Sequence, residues 1–352
     1  MNRKFFLSSV LPLAVFLKGV SQQVSSNAGN PSTIDIAGGE ESSPAKTPPY
    51  LKKGDLIGIT ASAGYITLEE IQPAILVIEN WGYKIKIGET IGKRDFTFGG
   101  TDAERTDDFQ QMLDDPQVKA ILCARGGYGI VRIIDALKWD KFKLKPKWII
   151  GFSDATVFHS HLNRVYNIAS VHSKMCNSFP DDWSKAEPIQ IETIESIHKA
   201  LAGEKMKYTA EPNQQNKLGI AEGALIGGNL KMLETLTGTV SDINTTGKIL
   251  FVEDTGEYMY NVDRMFWNLK RTGKLSQLKG LIIGGFKIKV DEGDDDFGKT
   301  LQDIVLEKVK SYKYPVCFEF PVGHQKNNFA LKCGVNHKLV VKSDEVFLEE
   351  KH

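Results

Sequence analysis

The spacing of apolar and polar positions changes period repeatedly between residues 50 and 202. Asp55-Leu56-Ile57-Gly58-Ile59-Thr60-Ala61-Ser62 is a short apolar run ending in small residues, which predicts a buried strand. Thr67-Leu68-Glu69-Glu70 follows with the spacing of a capping box, in which hydroxyl and carboxylate each satisfy a free backbone N–H. The helix it opens carries Ile71, Ile75, Leu76 and Ile78 on one side. Pro73 blurs the start of that helix, and Trp81-Gly82-Tyr83 ends it. Lys84 to Gly88 predicts a second strand. Thr101-Asp102-Ala103-Glu104 predicts a second capped helix, carrying Phe109, Met112 and Leu113. Val118 to Ala124 predicts a third strand, running into Arg125-Gly126-Gly127-Tyr128-Gly129 and a helix with Val131, Ile133, Ile134 and Leu137. Trp148-Ile149-Ile150 predicts a fourth strand. It enters a tight turn, Gly151-Phe152-Ser153-Asp154, before a helix from Ala155 to Leu162. Strands alternating with capped helices predict a parallel, doubly wound sheet with its ligand site at the C-terminal strand ends.

Residues 203–217 are polar, with Pro212, Asn213, Gln214 and Gln215, and are expected to link two domains, 50–202 and 218–352. In the second domain Ala221 to Ile226 predicts a strand, after which Gly227-Gly228-Asn229 opens a helix with Leu230, Leu233 and Leu236. Lys248 to Val252 predicts a strand with Glu253-Asp254 at its end. Leu281 to Phe286 and Pro315 to Phe320 predict two more, the latter ending in Pro321-Val322-Gly323-His324. Tyr260 to Leu269 and Leu301 to Val309 fit helices, and Lys338 to Glu349 two short strands.

Composition narrows the function classes. Lys plus Arg total 44, as do Asp plus Glu, so no net charge draws the chain to nucleic acid or an anionic membrane. The first residues stand apart: Asn2-Arg3-Lys4 is basic, and Phe5 to Leu17 is apolar apart from Ser8 and Ser9, with one proline. These read as the n- and h-regions of a signal peptide, too short for stable membrane insertion. Residues 1–22 are therefore expected as a signal peptide and 23–49 as a flexible tether, giving an exported, periplasmic protein. A cytoplasmic protein with a disordered N-terminus is the alternative. Cys123, Cys176, Cys317 and Cys333 show no CxxC spacing and read mostly as buried small apolar residues, with a disulfide left open. No zinc pattern is present, and neither metal nor cofactor is expected.

Candidate chemistry sits at the strand ends. A serine between a strand and a helix start is held rigidly, with the helix dipole favouring negative charge nearby. The local G-F-S-D departs from the G-x-S-x-G elbow, and a helix-capping role for Ser153 is the plainer reading of that turn alone. The R-G-G-Y-G turn opens on the same edge; it lacks the spacing of a dinucleotide or P-loop fingerprint, but its N–H groups suit an oxyanion. Ser153, Glu253 and His324 each follow an apolar, strand-like run. They are the three residue types of a nucleophile, its orienting carboxylate and its base.

Eight strings, in order, resemble the serine LD-carboxypeptidases (muramoyltetrapeptide carboxypeptidases), a family that includes microcin-immunity hydrolases. They are K-K-G-D-L-I-G-I-T from Lys52, G-T-D-A-E-R at 100–105, A-I-L-C-A-R-G-G-Y-G at 120–129, I-G-F-S-D-A-T at 150–156, G-G-N-L at 227–230, F-V-E-D at 251–254, D-R at 263–264 and P-V-G-H at 321–324. The resemblance spans Lys52 to about Leu348. It implies a flavodoxin-like N-terminal α/β domain and a smaller β/α C-terminal domain, with the active site in the cleft between them. It further implies Ser153 as nucleophile, His324 as base, Glu253 as its partner, the N–H groups of Gly127 and Asp154 as oxyanion hole, and a homodimer. Arg125, Gly126 and His172 are candidate substrate contacts. The implied reaction removes the terminal D-alanine from a murein tetrapeptide. The alternatives are a microcin-immunity-type amidase acting on a peptidyl-nucleotide, with Trp183 as a candidate base platform, and a non-catalytic murein-binding protein. Two strings depart from the family: H-S-K-M at 172–175, where H-G-P-M is common, and A-L-K-C-G at 330–334, where a P-L-G type is more usual.

Overall fold

The computed structural model describes residues 44–290 and 297–351. The expected signal peptide and most of the expected tether lie outside the described residues. Residues 44–49, expected as the end of the tether, are docked. Ala45 is buried and its N–H donates to the Gly334 carbonyl at 3.0 Å, while the Pro49 carbonyl accepts from the Trp148 indole at 3.1 Å.

Two sheets organise the chain. The first contains β1 (Leu56–Thr60), β2 (Lys84–Ile87), β3 (Val118–Cys123), β4 (Trp148–Gly151) and β5 (Ser170–His172), all parallel in the spatial order 2-1-3-4-5. That is the flavodoxin-like order. Successive residues of each strand serve opposite faces. Ile57, Ile59, Leu122, Trp148 and Ile150 pack with the helices at 68–80 and 188–202. Ile121, Cys123 and Ile149 pack with Phe109 and Met112 of the helix at 102–114 and with Phe158. Both predicted capping boxes form, at Thr67/Glu70 and Thr101/Glu104.

The second sheet runs β10-β9-β8-β7-β12-β13-β6. Its strands are β6 (Lys207–Ala210), β7 (Gly219–Asn229), β8 (Ile249–Tyr258), β9 (Gly280–Lys289), β10 (Val316–Cys317), β12 (Asn336–Val341) and β13 (Val346–Glu350). The missing member, β11 (Leu331–Cys333), pairs antiparallel with β5 on the edge of the first sheet. The C-terminal half thus supplies a strand to the N-terminal sheet. The expected linker is also more than a linker, because β6 within it pairs with β13.

Two local departures matter for the site. β8 does not stop at Glu253; it continues to Tyr258, and the β8–β9 register shifts between Val252 and Asp254. A bulge of this kind re-aims one side chain while the ladder resumes on either side. The strand expected over Pro315 to Phe320 is cut to two residues, because Glu319 has a φ of 57°, outside the extended region. The chain rejoins the edge of β9 at Gly323, opposite Gly285. All four cysteines are buried and free. Among the described residues no helix is long and apolar enough to cross a membrane.

Candidate active site

β4 ends at Gly151, and Phe152 is extended. Ser153 then takes a φ of 61°, in the left-handed region, before the helix at Thr156–His161 begins. A non-glycine residue there costs about 1–3 kcal/mol and persists only when its surroundings hold it. Those surroundings are explicit. His159, on the following helix, donates from Nε2 to the Gly151 carbonyl at 2.9 Å and accepts the Ser170 hydroxyl on Nδ1 at 2.8 Å. Burial pushes its pKa down to about 4, so the imidazole is a neutral brace. Asp154 is buried, and its Oδ2 accepts the Ile130 N–H at 2.8 Å, tying the R-G-G-Y-G loop to the serine turn. Burial pushes this carboxyl up to about 6, against the backbone hydrogen bond and the charge of Arg105.

Gly126 is needed for close approach. A Cβ there would stand 3.2 Å from Ser153 Cβ, 3.4 Å from Ser153 Oγ and 3.2 Å from the Met175 methyl. Gly127 is exposed beside it with a φ of 110°, and its N–H donates to no backbone carbonyl among the described residues. Arg125 donates to the Tyr65 carbonyl at 2.9 Å, so it holds the loop after β1 against the loop after β3.

From the second sheet come Glu253 and His324. His324 Nδ1 lies 2.5 Å from Glu253 Oε2; the glutamate is fully buried, and the imidazole is 17% exposed. The bulge in β8 places the carboxylate, and Gly323 makes room for it. Gly323 has a φ of 101°, and a Cβ there would sit 2.4 Å from Glu253 Cβ. The Asn328 side-chain oxygen accepts the Gly323 N–H at 2.7 Å, fixing the turn that carries His324. Phe152, next to Ser153, places its ring 4.9 Å from the imidazole. The residue before Ser153 thus packs on the imidazole of the Glu–His pair.

His172, expected at the cleft, is placed elsewhere. It is wholly buried between Phe152 and Phe251, and its Nε2 donates to the Asn328 oxygen at 3.2 Å. Burial holds its pKa well below the ordinary value. It supports the turn of His324 from behind, where substrate has no access. Trp183 packs against the core of the first sheet. Of the two departing strings, A-L-K-C-G buries Lys332 in an ion pair with Glu350 at 3.0 Å, whereas H-S-K-M puts Lys174 beside His324. Composition and strand pattern did not point to Asn229 or Asn328. Asn229 joins the halves: its N–H donates to Thr156 Oγ1 at 2.9 Å and its amide to Asp254 at 3.0 Å. Its place in the G-G-N-L string was the available signal.

Residues 57–173 match the LD-carboxypeptidase N-terminal domain and residues 222–339 the LD-carboxypeptidase C-terminal domain. The chain is 30% identical over 294 residues to a probable murein peptide carboxypeptidase of Bacillus subtilis, covering 82% of this chain and 89% of that one. It is 27% identical over 283 residues to the murein tetrapeptide carboxypeptidase of Pseudomonas aeruginosa, covering 79% and 91%. A muramoyltetrapeptide carboxypeptidase from Oxalobacter formigenes superposes with a TM-score of 0.73 at 28% identity, covering 84% of this chain and 99% of that one. MccF in complex with glutamyl sulfamoyl guanosine reaches 0.75 at 22% identity over 86% and 98%, a likeness of fold. On both domains, and over most of its length, the chain belongs to the LD-carboxypeptidase family of serine hydrolases.

Proposed function

We propose that the protein removes the terminal D-alanine from a murein tetrapeptide by cutting the bond to the L-centre of the diamino acid, with Ser153, His324 and Glu253 as its triad. The observation that carries this reading is the Glu253–His324 contact at 2.5 Å, packed against the ring of Phe152, the neighbour of Ser153 in its left-handed turn. Ser153 Oγ attacks the carbonyl carbon while His324 Nε2 takes its proton, and the Nδ1–H donates to Glu253. The N–H groups of Gly127 and Asp154 receive the developing oxyanion. The imidazolium then gives its proton to the leaving amine of D-alanine. Water, activated by the same imidazole, hydrolyses the acyl-enzyme and regenerates Ser153. Trp183, the candidate base platform of the peptidyl-nucleotide alternative, packs against the core of the first sheet and stays partly exposed, so that substrate is kept as the competing arm of the test.

The test is mass spectrometry of muropeptides incubated with the protein, in parallel with a peptidyl-nucleotide. Loss of D-alanine from tetrapeptide is expected, and Ser153→Ala should abolish it by on the order of 10⁴- to 10⁶-fold. Turnover of the peptidyl-nucleotide alone would reverse the assignment, and a Ser153→Ala variant within about tenfold of wild type would refute the nucleophile. The reading extends to an exported homodimer. N-terminal sequencing of native protein should find a start after residue 17, and sedimentation should find two chains; Met1 intact or a monomer would remove the respective part.

A further inference from the structure

A cavity of about 470 Å³ adjoins His324, and its walls include Phe152, Lys174, Lys287, Gln325 and Lys326. Larger hollows of 660 and 760 Å³ have none of these residues in their walls. The three lysines differ in how they are held. Lys326 is bound to Glu187 at 2.5 Å, so its charge is matched. Lys174 is half-buried; its ammonium donates to the Gln325 carbonyl at 2.6 Å and lies 5.6 Å from the centre of the Phe152 ring. Among the described residues neither Lys174 nor Lys287 is within ion-pair distance of a carboxylate, although Asp181 also borders the cavity. A lysine ammonium has three donors, and one carbonyl leaves the others for a ligand. Burial lowers the Lys174 pKa to about 8; the charge of Lys287 adds to this and the Glu253 carboxylate opposes it. Two like charges held around one hollow are relieved by an anion between them.

The catalytic chemistry says which anion. The imidazole that takes the serine proton gives it to the leaving amine, so the departing residue lies on the His324 side of the scissile bond. For a carboxypeptidase that residue carries the free carboxylate. We infer that Lys174, supported by Lys287, forms the subsite that binds the terminal carboxylate of the leaving residue, and so selects for cleavage at a free C-terminus. This rests on the carboxypeptidase reading above. It gives the lysine of H-S-K-M a role in specificity, through contact with substrate.

The experiment compares a murein tetrapeptide with the same peptide amidated at its C-terminus, using wild type, Lys174→Met, Lys174→Arg and Lys287→Met. Wild type should prefer the free acid. Lys174→Met should cut kcat/KM for the acid about tenfold to a hundredfold while leaving the amide nearly unchanged, the effect of one charge-assisted contact. Lys174→Arg should restore most of the preference. Lys287→Met, a change at an exposed position, should lower it in the same direction, and it keeps the test open if Lys174→Met folds poorly. Equal losses on acid and amide, or an unchanged ratio in Lys174→Met and Lys287→Met, would overturn the subsite while leaving the carboxypeptidase intact. No turnover of either peptide by wild type would overturn the carboxypeptidase reading and this inference with it.

Discussion

At the scale of single residues, the site depends on polar groups held where water cannot help them. Asp154 shows the consequence for pH. Its carboxyl is raised from 3.8 to about 6, so the folded protein favours the protonated form. The stability this contributes is complete below pH 3.8 and is lost as pH rises to about 6. Two pH units at about 1.4 kcal/mol each make on the order of 3 kcal/mol. Asp154→Asn removes the titration. Thermal melts from pH 4 to 7 should therefore show wild type losing ground to the variant up to about pH 6, then running parallel. Parallel curves throughout would mean that Asp154 is solvated. In the proposed mechanism Ser153 and His324 act on one proton, so their losses should not add. The Ser153→Ala/His324→Ala double variant should be no slower than either single variant. Full additivity in kcat would place the two residues in separate roles.

Among the elements, the turn that carries His324 is the most constrained. Its N–H at Gly323 is taken by Asn328, its φ is 101°, and the space of a Cβ is occupied by Glu253. Gly323→Ala therefore has to displace either the imidazole or its carboxylate. A displacement near 1 Å costs about a hundredfold in rate, and strained glycine replacement roughly 1–3 kcal/mol of stability. Kinetics should show the loss mainly in kcat. A variant with wild-type kcat would show that the turn adjusts without moving the pair. The predicted helix starts formed where threonine and glutamate are three residues apart, because capping is decided within one turn of chain. The strand ends did not follow the pattern so closely. Glu253 sits within β8, not after it, since pairing with β9 carries the ladder beyond the apolar run.

For the whole molecule, the two sheets are tied by more than the cleft. Lys332 of β11 is on the first sheet and Glu350 of β13 on the second, and their buried ion pair spans them. The lysine also donates to the Glu204 carbonyl at 2.9 Å. Lys332→Ala leaves Glu350 buried without its cation, at about 3–5 kcal/mol. Denaturation should shift as a single transition, followed by circular dichroism and tryptophan fluorescence together. Two separated transitions would mean that the sheets unfold independently.

What the sequence determined by itself is local or periodic in origin. Capping spacing, alternation of apolar runs, the small residues at turns and the order of the family strings needed only neighbours along the chain. They sufficed for the parallel sheet and for the identities of Ser153, Glu253 and His324 as candidates. Tertiary structure alone decided which side chains meet. His172 and Lys174 are two residues apart in one string, yet one is sealed between Phe152 and Phe251 and the other borders the cavity beside His324. Asn328 has no distinctive local pattern and Asn229 only its G-G-N-L string at a helix start; their bonds to His172 and Thr156 join residues far apart in the chain. The crossing of β11 to the first sheet is likewise invisible to periodicity, since an edge strand looks alike whichever sheet accepts it. The reason is physical: backbone preference acts over one turn or one pleat, whereas burial and hydrogen-bond partners are settled by elements that pack together from distant parts of the chain.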